Sequence, residues 1–432
     1  MSTSPNRSSS VPLSGQNVSG NIYVFTSPSS GVSQVQFFLD DPDMSDPPIR
    51  MEKESPHDFA GTASSGGAQP FNTATVVNGS HTITARLSLS GGGTQVLNAT
   101  FTSTNTTGLT TFTWSTVAGS PIARFEAQGA VANSKLYVFG GFINASLQAT
   151  RRSDVYNPST NTWTRITDMP EALTHAAVVV DGQTIYLVGG YVGNHPGPST
   201  SHVWKYSIAN NTWSAGPSLP GTRAAGGAVR LGRNLHFFGG AMRSSGELDE
   251  EDRNEHLKLF LDGGTSWSYL ADLPNARNHL GGATDGSRIY AVGGQHSRDE
   301  ESGNQDQVDI YNSSTNTWTR AADLPVPRGH ISSSTFLKDG YVIVIGGTLN
   351  GNEPSADVTA YNPVDNKWTA LSSLPQPRKS PVAGVIGGQI FSSTGNASSG
   401  ATPTKTTYNS VSATAARTPP TQQLSGPAAQ GT

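Results

Sequence analysis

Arginines and histidines stand at fixed offsets in a chain that is otherwise poor in charge. Three residues after a recurring proline come Arg124, Leu173, Arg223, Arg277, Arg328 and Arg378. Two residues further on come Glu126, His175, Ala225, His279, His330 and Ser380. A guanidinium is a rigid fork of donors that suits carboxylates and polyhydroxyl ligands. Imidazoles beside a carboxylate can move protons if a substrate oxygen comes within reach. The same arginines also suit a structural role, pairing with acids or backbone of neighbouring repeats. The ligand-binding candidates are Arg124, Glu126, Arg223, Arg277, His279, His296, Arg328, His330 and Arg378. His296 joins them because it lies in the loop that follows Gly293-Gly294. None is assigned a catalytic role, and enzymatic activity is not the expected function.

Two acidic loops lie near these positions. One carries Glu247, Asp249, Glu250, Glu251 and Asp252; the other runs from Gln295 through Asp299, Glu300 and Glu301 to Asp306. Such loops are expected to be solvated or paired with the arginines. Asp252 and His256 are four apart, as on one helical face, and Asp40, Asp41, Asp43 and Asp46 could offer oxygens to calcium. Neither set defines a coordination geometry, so no metal and no cofactor are expected.

The 432 residues include 48 glycines and 27 prolines, with 13% charged residues, which is the composition of short strands joined by many turns. Net charge is −4, so there is no basic excess to neutralise a phosphate backbone and nucleic acid is not an expected partner. Apolar runs are only strand-length, so no membrane span is expected. There is no cysteine, which excludes disulfides, thiolate metal sites and cysteine nucleophiles. No signal peptide is visible at residues 1–7.

The elements that must position these residues come from a repeat. Tryptophans at 114, 163, 213, 267, 318 and 368 are spaced 49, 50, 54, 51 and 50 residues apart, and each is followed seven residues later by proline. Tyr156, Tyr206, Phe260, Tyr311 and Tyr361 lie seven before five of them, and Gly-Gly pairs begin at 140, 189, 239, 293 and 346. Ile390 to Gly395 is a decayed sixth copy. Over residues 108–412 the chain resembles the kelch repeat, which implies a six-bladed β-propeller of four-stranded blades. Trp114 lacks a preceding Gly-Gly, and the last repeat lacks a tryptophan, so the strand around Trp114 should complete the sixth blade. The matched positions then become a ring near one mouth of a central channel. The loop after each Gly-Gly faces the same mouth.

Residues 1–15 are Ser/Pro-rich and expected to be disordered. Residues 16–105 read as a β-sandwich, with Val35, Phe37 and Leu39, and Ile83, Ala85, Leu87 and Leu89, alternating with polar residues. Val32–Asp40, Pro56–Phe59 and Asn78–Ala85 resemble bacterial immunoglobulin-like modules, which implies a spacer or binding module. Asn105–Gly108 reads as a linker and 413–432 as a disordered tail.

The fold class is therefore all-β. The expected function is extracellular or cell-surface binding of a glycan or a protein partner at the loop-rich mouth. A sandwich followed by a kelch propeller resembles galactose oxidase, but that enzyme's copper chemistry needs a cysteine. Resemblance to bacterial sialic-acid mutarotases implies an alternative, sugar epimerisation by Arg223, Arg277 and Arg328 with Glu126. Plant kelch proteins that hold iron use Glu, Asp and His at four-residue spacing; here Leu248 takes the first place. A scaffold or adhesion protein without a small-molecule site is the remaining alternative.

Overall fold

In the computed structural model, residues 1–27, 29–63, 66–76, 79–104, 112–298 and 303–412 are described. The expected linker at 105–108, the tail at 413–432, Asn78 and the run Asp299-Glu300-Glu301 lie outside them. Strands dominate, and the short helices among the described residues are single 3₁₀ turns. Among the described residues no helix is long and apolar enough to cross a membrane.

The N-terminal unit is a five-stranded sheet with a two-stranded sheet beside it. Strand Asn17–Val18 runs parallel to Thr94–Ser103, whereas Val32–Leu39 and Gly79–Leu89 pair antiparallel. The expected alternation is observed: Val35, Phe37, Ile83, Ala85 and Leu87 are buried in one core. Edge-to-face rings link Phe37, Phe59 and Phe71 across it, at 5.7 and 5.0 Å. Residues 1–15 are packed rather than disordered. Ser2 and Tyr23 exchange backbone hydrogen bonds of 2.8 and 2.9 Å, Arg7 pairs with buried Asp58, and Leu13 enters the core. The Ser/Pro-rich composition hid the few apolar and charged residues that tie the segment down.

Among the described residues, six four-stranded antiparallel sheets follow. Their first strands neighbour one another in a closed cycle, the arrangement of a β-propeller. The sixth sheet joins Val382–Ile386, Gln389–Ser393 and Thr407–Ser412 to Phe112–Val117, with Ser410 opposite Trp114. The strand around Trp114 thus completes the last sheet, and closure leaves no free edge between the ends of the repeat.

One hydrogen bond recurs around the whole ring. Each tryptophan indole donates to the carbonyl four residues beyond the preceding tryptophan: Trp163 to Ala118, Trp213 to Thr167, Trp267 to Pro217, Trp318 to Ala271, Trp368 to Ala322 and Trp114 to Ser372, at 2.7–2.9 Å. In four sheets an asparagine at positive φ adds a second link. Asn161, for example, accepts from Tyr156 Oη at 2.9 Å and from the Ala118 N–H at 2.8 Å.

The third sheet departs from this register. Leu259, not Phe260, lies opposite Trp267, and Phe260 is exposed. The turn before Trp267 is longer there, so counting seven back from the tryptophan misses the buried position by one.

The Gly-Gly pairs end the second strand of each of the first five sheets. At Gly189 (φ 63°) an added Cβ would stand 2.3 Å from the Arg223 carbonyl of the next sheet. Gly190 N–H donates to that same carbonyl at 2.8 Å. The close approach requires glycine on both counts. On the opposite face, Leu39 and Ile49 of the N-terminal unit share a cleft with Leu231 and Gly286 at turns of the third and fourth sheets.

Candidate functional site

The positions two residues after the arginines form a continuous collar. Glu126, His175, Ala225, His279, His330 and Ser380 all have positive φ, between 47° and 57°. Left-handed backbone costs a side-chain-bearing residue about 1–2 kcal/mol. Hydrogen bonds between neighbouring sheets offset it. The N–H of Ala225 donates to the His175 carbonyl at 2.8 Å, and the N–H of His279 donates to the Ala225 carbonyl at 2.7 Å. His175 N–H reaches the Glu126 carbonyl at 3.4 Å.

The collar brings polar side chains from five of its six positions together. Glu126 lies 3.2 Å from His175 Nε2 and 3.3 Å from His330 Nε2, and it accepts the Ser380 hydroxyl at 2.6 Å. The His279 and His330 rings lie 4.0 Å apart at 31°, and His175 meets His279 edge-on at 4.9 Å. Glu126, His279 and His330 are buried, and His175 is partly open to the cavity above.

That cavity, of about 190 Å³, is walled by the loops that follow the second strands. Its lining is two-sided. Phe142, Leu147, Tyr191 and Leu248 form an apolar arc. Arg243, Glu250, Lys379 and Asn396 form a polar one. Arg243 lies 3.6 Å over the Tyr191 ring and 3.1 Å from Glu250, which fixes both arcs to each other. Lys379 donates to Asn352 Oδ1 at 2.6 Å.

The arginines do not line this cavity, which corrects their assignment as ligand-binding residues. Arg124, Arg277, Arg328 and Arg378 are essentially inaccessible, and Arg223 is buried. Arg277 donates to the Gly293 and Ala291 carbonyls at 2.8 and 3.2 Å and pairs with Asp309 at 2.9 Å. Arg124 pairs with Asp154, and Arg223 pairs with Glu255 at 2.8 Å. Arg328 uses the Gly346 and Asp357 carbonyls and the Thr359 hydroxyl. Arg378 uses the Pro377 carbonyl and the Tyr408 hydroxyl. Burial lowers all five pKa values, Arg328 to about 10, against the pull of their partners. They clamp strand ends within the wall, so an epimerase mechanism based on Arg223, Arg277 and Arg328 loses its cationic groups.

His296 stands beside the cavity rather than in it, 3.0 Å from Asp252. Asp252 also accepts from Asn278, while His256 is buried 2.9 Å from His236, so the four-residue spacing does not bring Asp252 and His256 together. Asp40 is engaged by His81 and Asp41 by Ser45 and Asp46 backbone, so the four N-terminal aspartates do not converge. The acidic loop of the third sheet is paired: Glu250 with Arg243, Glu251 and Glu255 with Arg253.

Sequence reasoning brought Glu126, His279 and His330 to one place but left His175 out of the site. It missed Phe142, Tyr191, Arg243 and Lys379 altogether. Lys379 directly follows the arginine position and could have been read from the repeat. Phe142 and Tyr191 directly follow Gly140-Gly141 and Gly189-Gly190 and could have been read likewise, whereas Arg243 lies further into its loop.

Comparison with known proteins agrees with the repeat. Residues 174–395 match the KLHDC2/KLHL20/DRC7 Kelch-repeats domain, and residues 123–170 match the Kelch motif. Kelch-like protein terF of Aspergillus terreus is 29% identical over 253 residues, 56% of this chain and 53% of that protein. Kelch-like ECH-associated protein 1B of Danio rerio is 30% identical over 92 residues, 21% of this chain and 15% of that protein. Beta-scruin of Limulus polyphemus is 26% identical over 162 residues, 37% of this chain and 17% of that protein. The matched regions thus span 53% or less of these relatives. The chain belongs to the kelch-repeat proteins.

Proposed function

We propose that this chain is a protein-interaction module whose loop-walled mouth receives a segment of a partner protein. The observation that carries the reading is the two-sided cavity. An apolar side chain of the partner fits the arc of Phe142, Leu147 and Leu248, the last 49% exposed at the rim. A neighbouring carboxylate on the partner fits Arg243 and Lys379. The wider architecture in this reading is a six-bladed propeller carried on an immunoglobulin-like module, placed at a cell surface or outside the cell. Fractionation of cells producing the full chain tests that location; recovery only from the cytoplasm refutes it.

Selection of a displayed random-peptide library against the full chain tests the partner reading. Enriched peptides should share an apolar residue next to Asp or Glu, and Leu248→Asp should weaken them at least tenfold. Peptides with no shared pattern, or binding indifferent to Leu248→Asp, refute it. A glycan is the second reading, favoured by Tyr191 and Phe142 beside Asn352, Asn396 and Ser399 in one cavity. A glycan array probed with the same two proteins decides between them.

A further inference from the structure

We propose that the floor of the cavity binds one divalent first-row transition-metal ion, of the zinc type, through His175, His279, His330 and Glu126. The three imidazoles come from three different sheets, yet one ligand nitrogen from each lies within 4.8 Å of the others. Among the described residues no other three histidine or acidic side chains meet so closely. Zinc–nitrogen bonds of about 2.0–2.1 Å set tetrahedral ligand edges of about 3.3 Å. The Glu126 oxygens already stand at 3.2 and 3.3 Å from His175 Nε2 and His330 Nε2. Drawing the imidazole nitrogens, now within 4.8 Å of one another, to tetrahedral edges requires rotation of the imidazole side chains on a backbone that the collar fixes.

The outer contacts are of the kind that orient metal-bound imidazoles. His279 Nδ1 is hydrogen-bonded to the Asn278 side-chain oxygen, an acceptor, which makes Nδ1 the protonated nitrogen of the neutral ring. His175 Nδ1 is held by the Thr174 hydroxyl at 2.8 Å, presenting Nε2 inward. Three imidazoles with one carboxylate suit zinc, nickel, cobalt or iron(II) rather than calcium or magnesium. The alternative is a self-contained polar cluster in which Glu126 is satisfied by two histidines and Ser380.

The test uses the full chain, free of any histidine tag, stripped with chelator and dialysed against zinc chloride. Elemental analysis should find one equivalent of zinc per chain, and magnesium should not compete. His279→Ala/His330→Ala should bind zinc at least about a hundredfold more weakly while keeping its strand circular dichroism. X-ray absorption at the zinc edge of the unaltered protein should count three imidazoles, a readout that does not depend on any variant folding. Absence of stoichiometric uptake, uptake unchanged in the double variant, or fewer than three imidazoles overturns the proposal. Peptide binding at the rim is a separate measurement, so either reading can fail alone.

Discussion

Two rings share one axis and use the repeat in opposite ways. The outer ring of tryptophan bonds is uniform: the same indole meets the same carbonyl offset six times, including the joint between Trp114 and Ser372. The inner collar repeats only its backbone. All six positions share a left-handed φ, but their side chains are Glu126, His175, Ala225, His279, His330 and Ser380. Where a side chain closes the interface between sheets, repetition fixes its identity. Where the backbone closes the interface, the side chain is released for other use. The arginines close strand ends within their own sheets, as Arg277 does with Gly293 and Asp309, which is why five identical residues mark the wall and not the ligand.

The strongest way to break this contrast is Arg277→Ala. It removes the cationic partner of Asp309, 2% exposed, leaving it the Gln307 amide, and deprives the Gly293 and Ala291 carbonyls of a donor, so it should cost about 3–5 kcal/mol in urea unfolding. A loss below about 1 kcal/mol would mean that the arginines are not structural. Acid comes next. Burial holds His256 at about 3 and His236 well below its usual value, so both are neutral in the folded state. The unfolded chain takes up their protons below pH 6.5. Stability is therefore full above pH 6.5 and falls by about 1.4 kcal/mol per pH unit per group as pH drops towards the folded values. Thermal melts from pH 7 to 4.5 should show this limb, and His256→Gln should flatten it.

Smaller effects sharpen the same comparison. Trp114→Phe keeps the ring but removes the bond to Ser372, and should cost about 1 kcal/mol. Trp318→Phe should match it within measurement error, since the two bonds are alike at 2.9 Å. Unequal losses would show that the joint between first and last repeats is weaker than the others. Ala225→Gly lies at the collar, where the left-handed φ of 55° suits glycine and the side chain is not committed to closure, and its effect should stay within about 1 kcal/mol. A loss as large as that at Arg277 would erase the distinction between the rings.

Much of this was legible from spacing, and the failures have one physical source. The offsets among Trp, Pro and Gly-Gly gave the sheets, the joint at Trp114 and the face on which the loops gather. Offsets give a position along the chain, not a side-chain direction. Arg277 and His279 are two apart, yet the side chain of the first turns back to the Gly293 carbonyl, whereas the second, at positive φ, meets the other collar side chains. Leu259 was missed because one added turn residue shifts the register against Trp267. Tyr191 stands at a countable offset, directly after Gly189-Gly190, but was not counted; Arg243 and Leu248 were missed because they lie further into a loop that carries no repeat.

The joint at Trp114 also sets an order of events during synthesis. Strand Phe112–Val117 is made before any of the six sheets has its first strand, but its partner Thr407–Ser412 is made last. The indole of Trp114 waits for a carbonyl 258 residues downstream. Until then a nascent chain carries an unpaired strand at one end and an unfinished sheet at the other, both able to capture a second chain. Translation that stops short of residue 407 leaves that hazard permanent.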